Sequence, residues 1–418
     1  MKKFFLKLLL VFFLFVFYTY FLLIQSIPDK LVLFEGENIN IKKLFGISIK
    51  QENEEILETS SNSEITEKVG KKNLEVSLFD KVKLKTVEVN TLPKTTVIPV
   101  GNIAGLKLYT NGVLVVGMSE IEGKDNKKYK PYENSQIQEG DTIIQINENI
   151  INSTQDLIDE VNNSKGENVN IKYIHEEETK ECSIEPVQSY DNQYKLGLWV
   201  RDSAAGVGTV TFYEPETKSF GALGHGITDI DTQQLINIAS GEFVTTRILD
   251  IEKGEEGIPG RIQGTVENQA NIGTIYKNTK FGIYGIVDNL SSLNIDTSKE
   301  MELALRDEIK TGKATILCSL DNRNIQEYEI EIEKIFKENN YDNKSMKIKI
   351  TDKKLIEKTG GIIQGMSGSP IIQNGKFVGA VTHVLINDPT QGYGVFGDIM
   401  LKQIKQVEWL VLFDLFYK

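Results

Sequence analysis

Apolar runs divide the chain into its parts. Between Leu8 and Ile24 only Thr19 is neither aliphatic nor aromatic, and Phe4 to Leu6 extend the run. About 20 such residues in a helix cross a hydrocarbon layer of about 30 Å. A helix apolar on every face belongs in an apolar medium, not half in water. Lys2, Lys3 and Lys7 sit at its start, so the positive-inside rule puts the N-terminus in the cytoplasm and the rest of the chain outside it. No alanine precedes Ala104, so no A-x-A cleavage site follows the run, and an uncleaved anchor over residues 1–26 is expected.

Residues 27–97 read as an extracytoplasmic β and linker segment. Leu31 to Phe34 and Ile39 to Ile49 have strand character, and Val82 to Val89 alternate apolar and polar residues as a half-buried strand does. Between them Gln51 to Lys72 is polar, acidic and serine-rich, a composition that buries little and forms a loop.

A distinct unit is expected over 98–185. Gly112 to Val116 is an apolar strand, Gly140-Asp141 a turn, Thr142 to Ile146 a strand and Val169 to Ile174 a closing strand. Leu157, Ile158 and Val161 share one face of a short helix, with Ser153 or Thr154 as its N-cap. The run from Ile137 to Ile150, with its Gly140-Asp141 and Asn147-Glu-Asn-Ile150, resembles the signature of PDZ domains, especially those attached to bacterial proteases. Glu148-Asn149 stands where a glycine usually follows the asparagine. The resemblance implies that a peptide adds as a strand beside Gly105, Leu106 and Leu108.

From about residue 190 to the C-terminus glycines multiply and short apolar runs recur, among them Gly206 to Phe212, Ile283 to Val287, Met346 to Ile350 and Phe377 to Val384. Many short strands parted by Gly, Asn and Asp predict a closed antiparallel barrel or sandwich. Met400 to Phe416 carries a helical apolar period and predicts a docked C-terminal helix. Its Leu410 to Phe416 stretch is too short for a second span.

Composition narrows the function. A chain of 418 residues fits two or three domains. Acidic side chains outnumber basic ones, 59 against 47, for a net charge of -12, which argues against a nucleic-acid partner. Two cysteines and three histidines exclude a Cys/His zinc cluster and a disulfide framework. Cys182 and Cys318 either pair with each other or are buried thiols. There is no H-E-x-x-H and no histidine pair at ligand spacing, so no metal and no cofactor are expected.

The chemistry centres on Gly365-Met-Ser-Gly-Ser-Pro370. A serine between glycines on a tight turn exposes its hydroxyl, and the neighbouring amides can converge on one concavity. The stretch resembles the nucleophile turn of chymotrypsin-like serine proteases. By that resemblance Ser367 is the nucleophile, and the backbone amides of Gly365 and Ser367 hold the oxyanion. A serine needs a base. His225, in Gly221-Ala-Leu-Gly-His-Gly226, ends an apolar strand between glycines and precedes the serine, as in chymotrypsin-like order. His383 alternates with apolar neighbours and is a second candidate. His175, ahead of Glu176 to Glu178, reads as solvated.

Three stretches together, Gly221 to Asp229, Gly360 to Ile371 and Gly379 to Val395, resemble the stage IV sporulation protein B family of serine peptidases of endospore-forming bacteria. With an anchor and a PDZ unit in front, the resemblance covers the chain and is strongest over residues 194–398. It implies a mainly β chain with an N-terminal transmembrane helix, a PDZ domain, and a chymotrypsin-like double β-barrel peptidase domain over 190–418. It also implies a signal-anchored endopeptidase of the forespore membrane, facing the intermembrane space. That enzyme cuts the extracytoplasmic part of a membrane-bound regulator, releasing intramembrane processing of a pro-sigma factor. Self-cleavage between anchor and PDZ domain is implied as well, with Gln51 to Lys72 a suitable place. The PDZ ligand would be a peptide, including one from the chain's own N-terminal region. For the triad acid the resemblance points to Asp352. Asp288 after an apolar strand, or a dyad without an acid, remain open, and Asp229 and Asp231 can instead hold a turn. A competing reading is a catalytically silent, protease-like scaffold that binds membrane proteins through its PDZ domain.

Overall fold

The computed structural model describes residues 2–35, 47–51, 70–79, 81–92, 94–293, 295–321, 324–336 and 343–404. They form two units, residues 1–95 with 305–308, and residues 96–304 with 309–418.

In the first unit, helix α1 (Lys2–Ser26) precedes strands β1 (Lys30–Phe34), β2 (Ile47–Gln51), β3 (Gly70–Leu78) and β4 (Val82–Leu92). The sheet runs β1-β4-β3-β2, with β1 parallel to β4 and the other pairs antiparallel. Alternation puts Leu74 and Val76 of β3 on the same face as Val87 and Val89 of β4, where they pack with Ile27, Leu31 and Leu33. The described side chains of α1 run unbroken only from Leu9 to Leu22, and most of the large ones are exposed. Among the described residues no helix is long and apolar enough to cross a membrane. Most of the acidic loop expected over Gln51 to Lys72 lies outside the described residues.

The second unit contains the PDZ fold. It uses the far half of β5 (Ile103–Met118), then β6 (Thr142–Ile146), α2 (Thr154–Asn163), β7 (Val169–His175) and β8 (Glu178–Ile184). Ser153 caps α2: its hydroxyl accepts from the Asp156 N–H at 3.1 Å, and the Asp156 carboxylate accepts from the Ser153 N–H at 2.9 Å. This reciprocal capping box satisfies two otherwise orphaned donors. Leu157 and Val161 of α2 close over Val113, Val115, Ile143, Ile146, Val169 and Ile171.

The region expected over 190–418 begins with β9 (Leu198–Glu214), β10 (Ser219–Ala222), β11 (Ile238–Glu252), β12 (Arg261–Thr279) and β13 (Gly282–Val287). Pairings run β5-β11-β12-β13-β10-β9, and a further pairing of β9 with β5 closes the ring. Leu106, Leu108, Phe220, Phe243 and Ile275 fill it, with the rings of Phe220 and Phe243 stacked at 4.8 Å. A closed barrel follows, in the order β14 (Gly312–Cys318), β15 (Gln326–Ile335), β16 (Met346–Ile350), β19 (Asp388–Phe396), β18 (Lys376–Leu385), β17 (Pro370–Gln373). Its interior holds Ile316, Ile330, Ile332, Ile348, Ile350, Ile371 and Val381. Alternation in β15 as far as Ile332 and through β16 turns Ile330, Ile332, Ile348 and Ile350 to one side and Glu and Lys to the other. Helix α3 (Lys353–Thr359) connects β16 to the segment before β17.

β5 is one strand with two duties. Its near half pairs on both edges within the ring, Leu106 with Gly206 of β9 and Phe243 of β11. Its far half pairs with β6 of the PDZ fold. A PDZ boundary at residue 98 therefore moves into the middle of β5. Both cysteines are free thiols. Burial pushes Cys182 up to about 11 and Cys318 up to about 12, so neither is a thiolate at neutral pH. Residues 397–404 are helical, and the rest of the expected C-terminal helix lies outside the described residues.

Candidate active site

The serine turn is built by glycines that no other residue replaces. Gly365 has φ 100° and Gly368 φ 97°. The Ser369 N–H donates to the Met366 carbonyl at 2.9 Å and the Gly368 N–H to the Val381 carbonyl at 2.8 Å, which tightens the loop against β18. A Cβ on Gly368 would strike the Thr209 carbonyl oxygen and stand 2.6 Å from the Leu223 nitrogen. The turn thus lies backbone to backbone on the first ring of strands. Thr209 of β9 fastens it twice: its N–H donates to the Ser367 carbonyl at 3.1 Å and its hydroxyl to the Gly365 carbonyl at 2.6 Å. Ser367 is half-buried, and its hydroxyl donates to the Thr382 carbonyl at 2.9 Å. The Gly365 and Ser367 N–H groups have no acceptor among the described residues. Two unclaimed amides on either side of a serine hydroxyl are what a developing oxyanion requires.

His225 reaches the same place from β10. The chain leaves that strand through Leu223 and Gly224 with φ 68° and 70°. A Cβ on Gly224 would stand 2.9 Å from Thr382 and 3.1 Å from Val395, so the histidine's strand end rests on the second barrel. The His225 Nδ1 lies 2.9 Å from the Gly226 carbonyl. A carbonyl only accepts, so Nδ1 carries the proton and Nε2 keeps its lone pair. Burial holds the imidazole below its ordinary pKa, opposed by that carbonyl bond. The ring of His383 lies 5.3 Å away, tilted by 39°. His383 is also held down, first by desolvation and then by His225. The two imidazoles thus meet ring to ring, and Ser367 bonds to the carbonyl of Thr382, the residue before His383. His175 sits apart on β7, 2.7 Å from the Asp141 carboxylate.

The acid is where the resemblance and the geometry part. The only hydrogen bond His225 makes among the described residues goes to its neighbour's carbonyl, not to a carboxylate. Asp352 is the N-cap of α3, and its Oδ1 accepts from the N–H groups of Lys354 at 2.9 Å and Leu355 at 3.0 Å. That oxygen caps the first turn of its own helix, and among the described residues no bond joins Asp352 to an imidazole. Asp288 accepts from the Thr274 hydroxyl at 2.9 Å on its own sheet. Asp229 and Asp231 both pair with Arg201, and Asp229 does hold a turn. The geometry is that of a serine and a histidine oriented by a carbonyl. We expect Asp352→Asn to keep kcat within about 3-fold, because Asn caps as well as Asp. In a working triad the same change costs about 10⁴-fold. Asp352→Ala should cost about 1 kcal/mol in denaturant unfolding through the lost cap.

Gly105, Leu106 and Leu108 do not form a peptide edge. All three lie in the near half of β5, paired on both sides, and Leu106 and Leu108 are each 1% exposed inside the ring. A strand with both edges taken cannot accept another. Near Leu198 to Asp202, β9 is paired only with β5 among the described residues, which leaves its other edge open beside α2. Sequence reading passed over Thr209 and Arg201. The available signal was an arginine within the long apolar strand that follows the PDZ unit.

Among the described residues no three His, Cys, Asp or Glu side chains are grouped to hold a metal ion. The chain is similar over residues 108–185 to the PDZ domain family. Of solved structures, it is similar to the PDZ domain of the SdrC-like protein from Listeria monocytogenes, at 24% identity over 22% of this chain and 87% of that one, with a TM-score of 0.17. It is also similar to the Rv3671c protease from M. tuberculosis. The active form gives 14% identity over 48% of this chain and 74% of that one, with a TM-score of 0.29, and the inactive form 13% over 48% and 84%, with a TM-score of 0.27. No curated protein matches. The family model for SpoIVB peptidase S55 matches residues 192–401, half of the chain and the whole stretch that carries Ser367 and His225, so this chain belongs to the SpoIVB peptidase S55 family.

Proposed function

We propose that this chain is a serine endopeptidase in which Ser367 attacks the peptide carbonyl and His225 is the base. The observation that carries the reading is the serine turn, with two unclaimed amides, seated on the strand end that presents His225. To react, Ser367 turns its hydroxyl from the Thr382 carbonyl toward His225 Nε2. The imidazole takes the proton as the Ser367 Oγ–carbon bond forms, and the amides of Gly365 and Ser367 receive the negative oxygen. His225 then passes its proton to the leaving amine, and water hydrolyses the acyl-enzyme by the same steps in reverse. A fluorophosphonate probe should label the wild-type protein and leave Ser367→Ala unlabelled. A folded wild type that takes no label would favour the silent scaffold.

The family's name and the apolar N-terminal run support a sporulation role at a membrane. In this reading residues 1–26 anchor the chain in the forespore membrane with the catalytic region outside the cytoplasm. The substrate is the extracytoplasmic part of a membrane-bound regulator, whose cleavage releases maturation of a sigma factor. Self-cleavage falls in the acidic stretch within Gln51 to Lys72, and N-terminal sequencing of wild type against Ser367→Ala locates it. The PDZ fold takes a peptide along the open edge of β9 beside α2.

The burial of His225 sets a pH dependence. The base works only when neutral, and its folded pKa is lowered, so the neutral form survives below the usual histidine value of about 6.5. The acid limb of kcat/KM should therefore fall below pH 6.5, with activity lost only as pH drops through the lowered value. A limb centred above 6.5 would contradict a desolvated base.

A further inference from the structure

One strand touches everything that matters here. β9 begins at the edge of the PDZ fold and ends under the serine turn, where Thr209 bonds to Gly365 and Ser367. Between those ends its pairing with β5 breaks: Arg201 faces Leu114, and the next partners are Ser203 and Tyr109. Irregularities of this kind re-aim side chains. Two consecutive residues at the break carry opposite charges and reach different parts of the unit.

Asp202 accepts from the Thr154 N–H at 2.8 Å, at the first turn of α2. It thereby ties β9 to the helix that flanks the open strand edge. Arg201 reaches the loop that His225 begins. Its guanidinium donates to the Asp229 carboxylate and, at 2.7 Å, to Asp231. The Asp229 side chain is 1% exposed. Its other oxygen accepts from the N–H groups of Asp231 and Thr232, each at 3.0 Å. The Asp229 N–H donates to the Gln234 carbonyl, and Thr228 bridges Leu235, so Asp229 is the organiser of the segment from His225 to Ile236. Arg201 is the only cation paired with that carboxylate among the described residues.

We propose that Arg201 is a positioning residue for the catalytic base: through Asp229 it holds the loop that carries His225, and beside Asp202 it ties that hold to the PDZ helix α2. The inference rests on the serine-peptidase reading for its kinetic consequence and on geometry alone for the coupling. Displacing α2, as an entering peptide strand would, moves the start of β9 and with it the guanidinium. The placement of His225 thus responds to the PDZ fold through two side chains and one strand, without a contact between ligand and catalytic residues.

Two measurements on the purified full chain test it. The first is hydrogen–deuterium exchange of the 225–236 amides, which needs no activity. Asp202→Ala leaves the Arg201–Asp229 pair intact and is expected to speed exchange there several-fold, although it touches only α2 directly. Arg201→Met/Asp229→Asn removes both charges, so that neither is left buried alone, and is expected to speed exchange more. The second is the kinetics of labelling and of peptide hydrolysis. For the double variant, labelling rate and kcat should fall about 10-fold to 100-fold, the scale of a small misplacement of a reacting group, with KM within 2-fold. Arg201→Lys should recover part of kcat, since a point charge meets one carboxylate where the fork meets two. Unchanged exchange in Asp202→Ala overturns the coupling to α2, and unchanged exchange in the double variant overturns the hold on the loop. A folded double variant with wild-type kcat, or a loss confined to KM, overturns the positioning role. A wild type that exchanges as described but takes no label would overturn the peptidase reading instead.

Discussion

Ser367→Ala is expected to lower kcat by about 10⁴-fold to 10⁶-fold, His225→Ala to do nearly the same, and the double variant to be no worse than either single one. The reason is that the serine is useless without a group to take its proton, and the imidazole is useless without a nucleophile. What survives is the contribution of the Gly365 and Ser367 amides, which neither change removes from the turn. Rates should be measured on the same peptide substrate for all three variants, with labelling as the active-site titre for wild type. Losses that multiply in the double variant would mean that the two side chains act in separate steps. His383 is the control. Its ring lies 5.3 Å from that of His225, but in this reading His225 alone receives the serine proton, so His383→Gln should retain most of kcat.

Gly368→Ala should come next in severity. The residue has φ 97°, and a Cβ there meets the Thr209 carbonyl oxygen and the backbone of Leu223. Backbone cannot rotate away as a side-chain tip can. Left-handed φ in a non-glycine residue costs about 1–2 kcal/mol, and overpacking about 1–3 kcal/mol. A destabilisation of about 3 kcal/mol corresponds to a drop in melting temperature of roughly 10 °C. Any relief comes from lifting the serine turn off the first ring of strands. That moves Ser367 away from His225 and should cost at least about 10²-fold in kcat in molecules that remain folded. Gly375→Ala is the matched control. It also has positive φ, 73°, but a Cβ there meets nothing within 4 Å. It should show the conformational cost without the loss of kcat. Equal kcat losses in the two variants would remove the argument from contact.

The shared strands explain why the PDZ fold and the peptidase are hard to part. β5 and β9 each pass from one into the other, so no flexible linker separates the two cores. A truncation at residue 185 would leave the near half of β5 without β9 and β11, its partners on both edges. This also corrects the simplest idea of how such a PDZ unit binds. The segment near Leu106 has the right apolar character for a peptide-accepting strand, but it is a central strand of a barrel. The edge proposed to accept a peptide belongs to β9, after the PDZ unit in sequence.

Much of this was legible in the residues. Alternation in Val82 to Val89 marked a strand with one buried face, because the side-chain period of a strand is two. Ser153 marked the start of α2, because a helix's first N–H groups need an acceptor. Gly365 to Pro370 marked the serine turn, because only glycine takes φ near 100° at no cost, and Gly224 marked the exit that presents His225. Order along the chain pointed to that serine and that histidine as the pair now proposed. Tertiary structure alone decided which acid faces what. Resemblance pointed to Asp352, with Asp288 left open and Asp229 read as a turn residue, and spacing could take the question no further. Whether a carboxylate meets an imidazole, a guanidinium or a helix N-terminus depends on contacts between residues far apart in sequence. The same holds for the peptide edge and for Arg201: local pattern specifies that a segment is a strand, and only the assembled sheet specifies which of its edges, and which of its side chains, remain to act.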